Sequence, residues 1–365
     1  MRIVKALFTL GVALMLAACS NQKVKTPVYA WEGINPKTDM AKLTENFRFW
    51  KSQGIVGVCI GCDDPVLVKE AAKRAHDEGL EYHAWVAAMT RGGHPHGWYT
   101  VNRLGQPSDE FPPYVPYYKT LDPADPDVRQ YLIDLYCGIA DIPEVDYVQL
   151  DYIRYADVIL GRGLWDKYGL VMDEEYAPAD YCYCDDCVAE FKEKTGIDIK
   201  SVEDPSKVKE WAQFRCDKVT DLVNAIVEAV HAKGKKVSAD VFPGPMSHSY
   251  QMVRQEWSKW NVDMLFPMNY NDFYLEGADW LATICKEEAE SAPAGVPVMS
   301  GLFICPDWRN KDKVTDPEDS GLLPSEMETA IRGSLENGAA GICLFTPGRM
   351  SPEHWDAMKK ALKTK

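Results

Sequence analysis

The chain has 365 residues, 46% of them hydrophobic and 26% charged, with 40 Lys and Arg against 55 Asp and Glu. This composition excludes a disordered or a collagen-like chain, because the apolar content is high enough to build a folded core. The formal charge of −15 argues against nucleic acid as a partner, since phosphate binding needs clustered Lys and Arg. The length allows two or three ordinary domains or one large α/β barrel.

Residues 1–18 have the pattern of a signal peptide. Arg2 and Lys5 precede an apolar stretch that is too short to span a bilayer, and small residues lead into Cys19. The pattern resembles a bacterial lipoprotein signal, which implies that Cys19 is lipidated after residues 1–18 are removed. An ordinary secretory peptide or a short membrane anchor is the alternative. Loss of Arg2 and Lys5 would take the formal charge from −15 to −17, and residues 19–27 would form a polar tether.

Eight apolar, β-rich runs alternate with amphipathic helical patterns beyond the tether. The predicted strands are 28–31, 54–60, 80–86, 145–151, 235–242, 262–268, 296–303 and 340–345, and the predicted helices are 39–53, 65–78, 127–139, 208–232, 250–260, 278–290, 324–337 and 352–362. Continuous apolar strands, each followed by a helix, predict a parallel sheet that is buried on both faces. We therefore expect an α/β fold, a (β/α)8 TIM barrel over residues 28–365. An open doubly wound sheet is the alternative, but no glycine-rich phosphate loop follows the first strand.

Two long stretches, 87–126 and 154–205, follow the third and fourth strands. Both begin where a strand ends, which is the side of a barrel that carries active sites. They are therefore expected to be insertions that build a substrate cleft over the fourth strand.

Two aspartates lie at or near the ends of neighbouring strands in this pattern. Asp151 ends the fourth strand, and Asp240 lies near the end of the fifth, just before Val241 and Phe242. Glycoside hydrolysis needs two carboxyl groups, one to stabilise or trap an oxocarbenium-like state and one to protonate the leaving oxygen. We predict Asp151 as the nucleophile or cation-stabilising group and Asp240 as the general acid/base, with Glu32 as the reserve for the second carboxyl group. The sequence leaves open their separation, and with it a retaining or an inverting outcome.

Aromatic and amide side chains accompany these carboxyl groups at the predicted strand ends. Aromatic planes stack against sugar rings and polar groups bond sugar hydroxyls, so the mixture suits a carbohydrate. The candidate substrate-binding residues are Trp31, Glu32, His83, Trp85, Tyr152, Arg154, Asn269, Tyr270 and Phe345, and the third-strand stretch adds Trp98, Tyr114, Tyr117 and Tyr118.

Two stretches resemble a known family. Leu121-Asp122-Pro123 with Pro126-Asp127-Val128-Arg129-Gln130-Tyr131, and Asp151-Tyr152-Ile153-Arg154-Tyr155, are similar to motifs of the glycosyl-hydrolase-like 10 group of secreted or lipid-anchored bacterial TIM barrels. The resemblance implies a barrel glycosidase that acts on an α- or β-glycan, and by position it gives Asp151 a catalytic role. Catalysis of this kind needs no cofactor. With the signal pattern, it leads us to expect a lipoprotein on the periplasmic or cell-surface side of the outer membrane, in contact with the membrane only through lipid.

Three cysteines form a dense cluster, Cys182, Cys184 and Cys187. With a fourth ligand, such as Cys216 or the pair Cys59 and Cys62, they would suit structural zinc. The stretch resembles the zinc cluster found beside the barrel of some β-galactosidases. Disulfides or free thiols are the alternatives in an exported protein.

Two other functions compete with the glycosidase. One is a non-catalytic glycan-binding lipoprotein that keeps the barrel and its aromatic residues. The other is a metal-dependent deacetylase that uses His83, His94 and His96. A metal ion would be essential only in the second case.

Overall fold

The computed structural model describes residues 26–363. Its eight parallel strands are β1 (Val28–Gly33), β2 (Gly57–Gly61), β3 (Glu81–Ala87), β4 (Tyr147–Asp151), β5 (Lys236–Val241), β6 (Met264–Pro267), β7 (Met299–Phe303) and β8 (Gly341–Phe345). All eight predicted strands are present, most of them shorter than predicted at the N-terminal end. The predicted signal peptide and Cys19 lie outside the described residues.

The strands pair in the order β6-β5-β4-β3-β2-β1-β8-β7. Between β6 and β7 the parallel bridges Leu265 to Val298 and Met268 to Gly301 bring the two edges together. A nearly closed barrel results, which confirms the predicted (β/α)8 TIM-barrel fold and rules out the open doubly wound sheet.

The helices are α1 (Met40–Gln53), α2 (Pro65–Asp77), α3 (Pro126–Ala140), α4 (Trp165–Tyr168), α5 (Asp185–Thr195), α6 (Lys209–Ala232), α7 (Tyr250–Val253), α8 (Trp280–Ser291), α9 (Pro324–Glu336) and α10 (Pro352–Leu362). Aspartates 39, 64 and 125 cap α1, α2 and α3, since each side chain accepts hydrogen bonds from backbone N–H groups of the first turn. No helix within residues 26–363 is long and apolar enough to cross a membrane.

The helix predicted over 250–260 is wrong in extent, because α7 ends at Val253. Arg254 has a left-handed backbone (φ 56°), which stops the helix. Its guanidinium forms an ion pair with Glu175, far away in the sequence. A tertiary contact that the local pattern does not contain therefore accompanies this boundary.

Side chains alternate between the barrel interior and the surrounding helices along each strand. Tyr29 and Trp31 of β1, Cys59 of β2 and Phe266 of β6 belong to one interior cluster. Gly301 of β7 makes room for this filling, because a Cβ there would lie 2.8 Å from the Trp31 ring. The interior is thus a packed core, and the carboxyl groups of Asp151 and Asp240 lie towards the C-terminal ends of its strands.

Candidate active site

Asp151 and Asp240 are neighbours at the C-terminal ends of β4 and β5. The two strands pair with Leu150 opposite Ala239, so the next residue on each strand is one of the two aspartates. Both side chains line the same cavity of about 390 Å³. The structure therefore brings the two predicted catalytic carboxyl groups together.

Asp151 accepts a hydrogen bond on each of its oxygens. The indole N–H of Trp85 donates to Oδ2 (2.8 Å) and the backbone N–H of Tyr152 donates to Oδ1 (2.6 Å). Tyr152 has a left-handed backbone (φ 47°), an uncommon conformation for a bulky residue. Burial raises the pKa of Asp151, whereas the two donors and the charge of Arg154 act to lower it. The pKa of Asp151 remains above its ordinary value, but the donor on each oxygen opposes the effect of burial.

Asp240 has a different hydrogen-bonding pattern. The indole N–H of Trp31 (3.1 Å) and the side-chain amide of Gln149 (2.7 Å) both donate to Oδ1. Burial, and next the charge of Asp151, raise the pKa of Asp240 well above its ordinary value. Because both donors reach the same oxygen, Oδ2 is left to carry a proton. The two carboxyl groups are therefore distinct: Asp151 is the better anion and Asp240 the better acid.

Gly61 makes room for the indole of Trp85, which donates a hydrogen bond to Asp151. Trp85 lies on β3 beside Gly61 of β2. A Cβ at Gly61 would lie 2.6 Å from the Trp85 ring. Glycine at this position therefore lets the indole pack closely against β2 while its N–H reaches Asp151.

A buried polar cluster forms one wall of the cavity. Arg154 pairs with Asp157 (3.1 Å), and the hydroxyls of Tyr114 and Tyr118 donate to the same carboxylate at 2.8 and 2.9 Å. The guanidinium also lies 4.6 Å from the centre of the Phe242 ring. The guanidinium of Arg154 is therefore held by the Phe242 ring against its face and by Asp157 at its edge, and Asp157 also balances its charge.

Aromatic rings cover the opposite wall. Tyr270 lies near Phe303 (5.1 Å between ring centres) and Phe345 (5.6 Å), and Arg349 lies over Phe303 at 5.0 Å. The remaining residues that line the cavity are Trp31, Trp85, Tyr117, Tyr152, Leu160, Leu164, Tyr168, Met268, Phe273, Tyr274 and Glu318. An aromatic cavity of this volume that also contains two carboxyl groups can hold a hydroxyl-bearing sugar ring, whose C–H faces pack against aromatic planes.

Six of the nine candidate substrate-binding residues line the cavity: Trp31, Trp85, Tyr152, Arg154, Tyr270 and Phe345. His83 does not, because it lies one inward position below Trp85, where it contacts Ser238 (2.9 Å) and Glu81 (3.2 Å). Asn269 is buried outside the cavity and donates to Glu288 (3.1 Å) and Ser300 (3.0 Å). Glu32 is adjacent to Trp31 on the strand and so faces the other side of the sheet.

Several residues that line the cavity or bond its carboxyl groups were missed in the sequence. Gln149 had a readable signal, since it lies two residues before Asp151 and so shares its face of β4. Asp157, Glu318 and Arg349 had none, because loops from different parts of the chain bring them to the cavity.

The three histidines of the deacetylase alternative do not converge. His83 is in the barrel interior, His94 stacks on Trp98 (5.5 Å between ring centres), and His96 is exposed beside Asp109 (2.8 Å). Within residues 26–363 the one group with metal-ligand spacing is Asp122, Cys182, Cys184 and Cys187. The separate positions of the three histidines exclude a shared metal site among them. In the cysteine group the fourth potential ligand is Asp122, not the expected Cys216, Cys59 or Cys62.

No protein-family model and no curated protein matches the chain. Solved structures of similar fold include the PgaB (BpsB) glycoside hydrolase domain from Bordetella bronchiseptica, with a TM-score of 0.60 and 12% identity over 93% of this chain and 99% of that one. The catalytic domain of β-amylase from Paenibacillus polymyxa has a TM-score of 0.58 and 11% identity over 93% and 98%. A class V chitinase from Pseudomonas fluorescens Pf-5 has a TM-score of 0.54 and 11% identity over 92% of this chain and 99% of that one. These likenesses show that the chain has a fold shared by glycoside hydrolases.

Proposed function

We propose that the protein is a glycoside hydrolase of the glycosyl-hydrolase-like 10 type, which cleaves an oligo- or polysaccharide with two carboxyl groups. One observation carries the proposal: Asp151 and Asp240 adjoin at the base of an aromatic cavity but differ in their hydrogen bonds. Asp151 receives a donor on each oxygen, whereas both donors to Asp240 reach Oδ1. Paired carboxyl groups with different protonation preferences are what acetal cleavage requires. The fold shared with glycoside hydrolases supports this assignment.

In the proposed reaction, Asp240 donates the proton on Oδ2 to the glycosidic oxygen as the bond to the anomeric carbon breaks. Asp151 stabilises the positive charge that develops at that carbon, or bonds to it. Water then completes hydrolysis, with Asp240 accepting its proton. Tyr270, Phe345 and the tyrosines of the opposite wall hold the sugar ring, and the Arg154 cluster gives the cavity a fixed polar edge. No step uses a cofactor.

The strand geometry favours retention of anomeric configuration. Neighbouring strands lie ~4.8 Å apart, and the two aspartates occupy the same level of adjacent strands. This backbone spacing supports carboxyl groups at the ~5 to 5.5 Å separation of retaining enzymes over the ~6.5 to 9.5 Å of inverting ones. In this case Asp151 forms a covalent glycosyl-enzyme intermediate. Proton NMR of the first product formed should show the same anomer as the substrate, and the opposite anomer would rule out Asp151 as a nucleophile.

A panel of polysaccharides and aryl glycosides tests the activity itself. The wild-type protein should turn over at least one substrate, and Asp151→Asn should lower kcat by ~10³-fold or more while binding is retained. Binding without turnover in the wild type would instead favour the glycan-binding alternative. Turnover unaffected by Asp151→Asn would contradict the assignment of the carboxylate.

The proposed setting is the periplasmic or cell-surface side of the outer membrane, with a lipid on Cys19 as the membrane contact. The signal pattern in residues 1–18 supports this proposal. Metabolic labelling with a radioactive fatty acid should label the wild type, and Cys19→Ser should abolish the label. Labelling that persists in Cys19→Ser would contradict the anchor without affecting the glycosidase.

A further inference from the structure

A cluster of four potential metal ligands lies away from the carboxyl pair. It consists of Asp122, Cys182, Cys184 and Cys187, whose ligand atoms all lie within 4.8 Å of one another. The thiols of Cys182 and Cys184 lie 3.1 and 3.0 Å from Oδ2 of Asp122. None of the three cysteines is in a disulfide, and Asp122, Cys182 and Cys187 are each at least nine-tenths buried.

From this geometry we propose that the protein binds one structural Zn²⁺ through Asp122, Cys182, Cys184 and Cys187. Tetrahedral zinc with Zn–S bonds of ~2.3 Å separates its ligand atoms by about 3.5 to 3.8 Å. The four atoms therefore need only small movements to surround an ion. Binding replaces the three thiol protons with zinc, and the protons go to solvent. Four protein ligands fill the coordination sphere, so the site is structural and does not bind substrate.

Within residues 26–363 no Lys, Arg or His forms an ion pair with Asp122. Arg215 is the buried cation next to it, but its guanidinium pairs with Asp180 and donates to the carbonyl of Tyr181 (2.8 Å). A carboxylate and three thiolates without a cation would be expensive to bury. A divalent ion fits this set, because it is the compensating charge that the protein does not supply.

Supporting contacts hold the ligands in place. Oδ1 of Asp122 accepts the backbone N–H of Ala124 (2.9 Å), which leaves Oδ2 directed at the sulfurs. Cys187 lies in the first turn of α5. Such contacts around a ligand fix its orientation and are typical of built metal sites.

The ion would join the two long segments above the barrel. Asp122 belongs to the segment 88–125 and the cysteines to the segment 152–208 with α5. The two segments already touch, since the N–H of Tyr183 donates to the carbonyl of Val101 (2.7 Å). The first segment supplies Tyr114 and Tyr118 to the cavity and the second supplies Asp157. Zinc would therefore hold the two segments together and so position Tyr114 and Tyr118 at the cavity.

Metal analysis of the full-length protein tests the site. Expression with zinc in the medium, followed by inductively coupled plasma mass spectrometry, should give one zinc per chain. Cys184→Ala and Asp122→Ala should lose it, whereas Cys216→Ala, a buried cysteine on α6 outside the cluster, should keep it. Less than a tenth of an equivalent in the wild type, or an intact mass two units low from a disulfide, would overturn the proposal.

A ligand exchange keeps the test decisive if the alanine variants fail to fold. Asp122→Cys supplies a fourth thiolate and should retain one zinc per chain. With Co²⁺ in place of zinc, the wild type should show sulfur-to-cobalt charge-transfer absorption, and this absorption should strengthen in Asp122→Cys. An unchanged spectrum in that variant would exclude Asp122 as a ligand. None of these readouts depends on glycosidase activity.

Discussion

The side-chain amide of Gln149 lies 2.7 Å from Oδ1 of Asp240 on the neighbouring strand. This hydrogen bond favours the charged form of Asp240, so it lowers a pKa that burial raises. Gln149→Met, similar in size but without a donor, should therefore raise the pKa of Asp240 further. Because a general acid works in its protonated form, the basic limb of the pH profile of kcat/KM should move to higher pH.

Ser238→Ala is the matched control for this change. Ser238 also faces the interior of β5, but it bonds His83 and makes no hydrogen bond to Asp240. Its pH profile should keep the wild-type basic limb. If the Gln149→Met profile superimposes on the wild-type profile, the amide does not tune the acid.

The buried Asp240 should reduce stability at neutral pH. Its pKa in the folded protein is well above the ordinary 3.8, so its contribution is fully present below that ordinary value and is lost as pH rises through the folded value. Asp240→Asn removes this loss. We expect a gain on the order of 1 kcal/mol near neutral pH, or about 1 to 2 °C in Tm for a chain of this length.

Thermal unfolding at a series of pH values between 4 and 8 measures this effect. The difference in Tm between Asp240→Asn and the wild type should grow as pH rises. Asp312→Asn changes an exposed carboxylate outside the cavity and serves as the surface control. A gain for Asp240→Asn that is equal at all pH values would show that it does not come from ionisation.

The Arg154–Asp157 pair should be strongly coupled, because both side chains are almost fully buried. Arg154→Met leaves Asp157 buried without its cation, and Asp157→Leu leaves the guanidinium unpaired. Each should cost ~3 to 5 kcal/mol of unfolding free energy. The double variant should cost clearly less than the sum of the two, as measured by urea unfolding. Additive losses would mean that the pair contributes nothing beyond its separate packing.

Tyr117 is the exposed member of the cavity tyrosines, with 53% of its surface accessible. Tyr117→Ala should raise KM several-fold and change kcat little, because stacking holds the sugar but not the reacting bond. Phe111 is similarly exposed (47%) in the same segment but does not line the cavity. Phe111→Ala should therefore leave KM unchanged. Equal effects of both variants would point to a general change in the segment.

The barrel could be predicted because its evidence is local. Each strand is a short apolar run and each helix has its own amphipathic pattern, so alternation alone gives the eight units. Asp151 and Asp240 could be placed for the same reason, since each lies at or near the end of such a run. His83 was predicted on the correct, inward face of β3, but it lies deeper in the barrel than the cavity reaches. Alternation along a strand indicates which face a residue occupies, but it does not indicate how far the cavity extends into the barrel.

The missed features depend on contacts between distant segments. Asp122 reaches the cysteine cluster across sixty residues of chain, and the ion pair of Arg254 with Glu175 accompanies the early end of α7. Glu318 and Arg349 come to the cavity from other loops. Such pairings are set by how the loops fold over the barrel, and no spacing along the chain encodes them.

The most direct test of the central claim compares leaving groups in Asp240→Asn. A 2,4-dinitrophenyl glycoside leaves without protonation, whereas an alkyl or sugar leaving group needs a proton from the acid. We predict that Asp240→Asn keeps kcat/KM for the dinitrophenyl substrate, which reports bond cleavage alone, within about tenfold of the wild-type value and loses ~10³-fold or more of kcat/KM on the unactivated one, while Asp151→Asn is impaired on both. Equal losses on the two substrates in Asp240→Asn would contradict the assignment of Asp240 as the general acid.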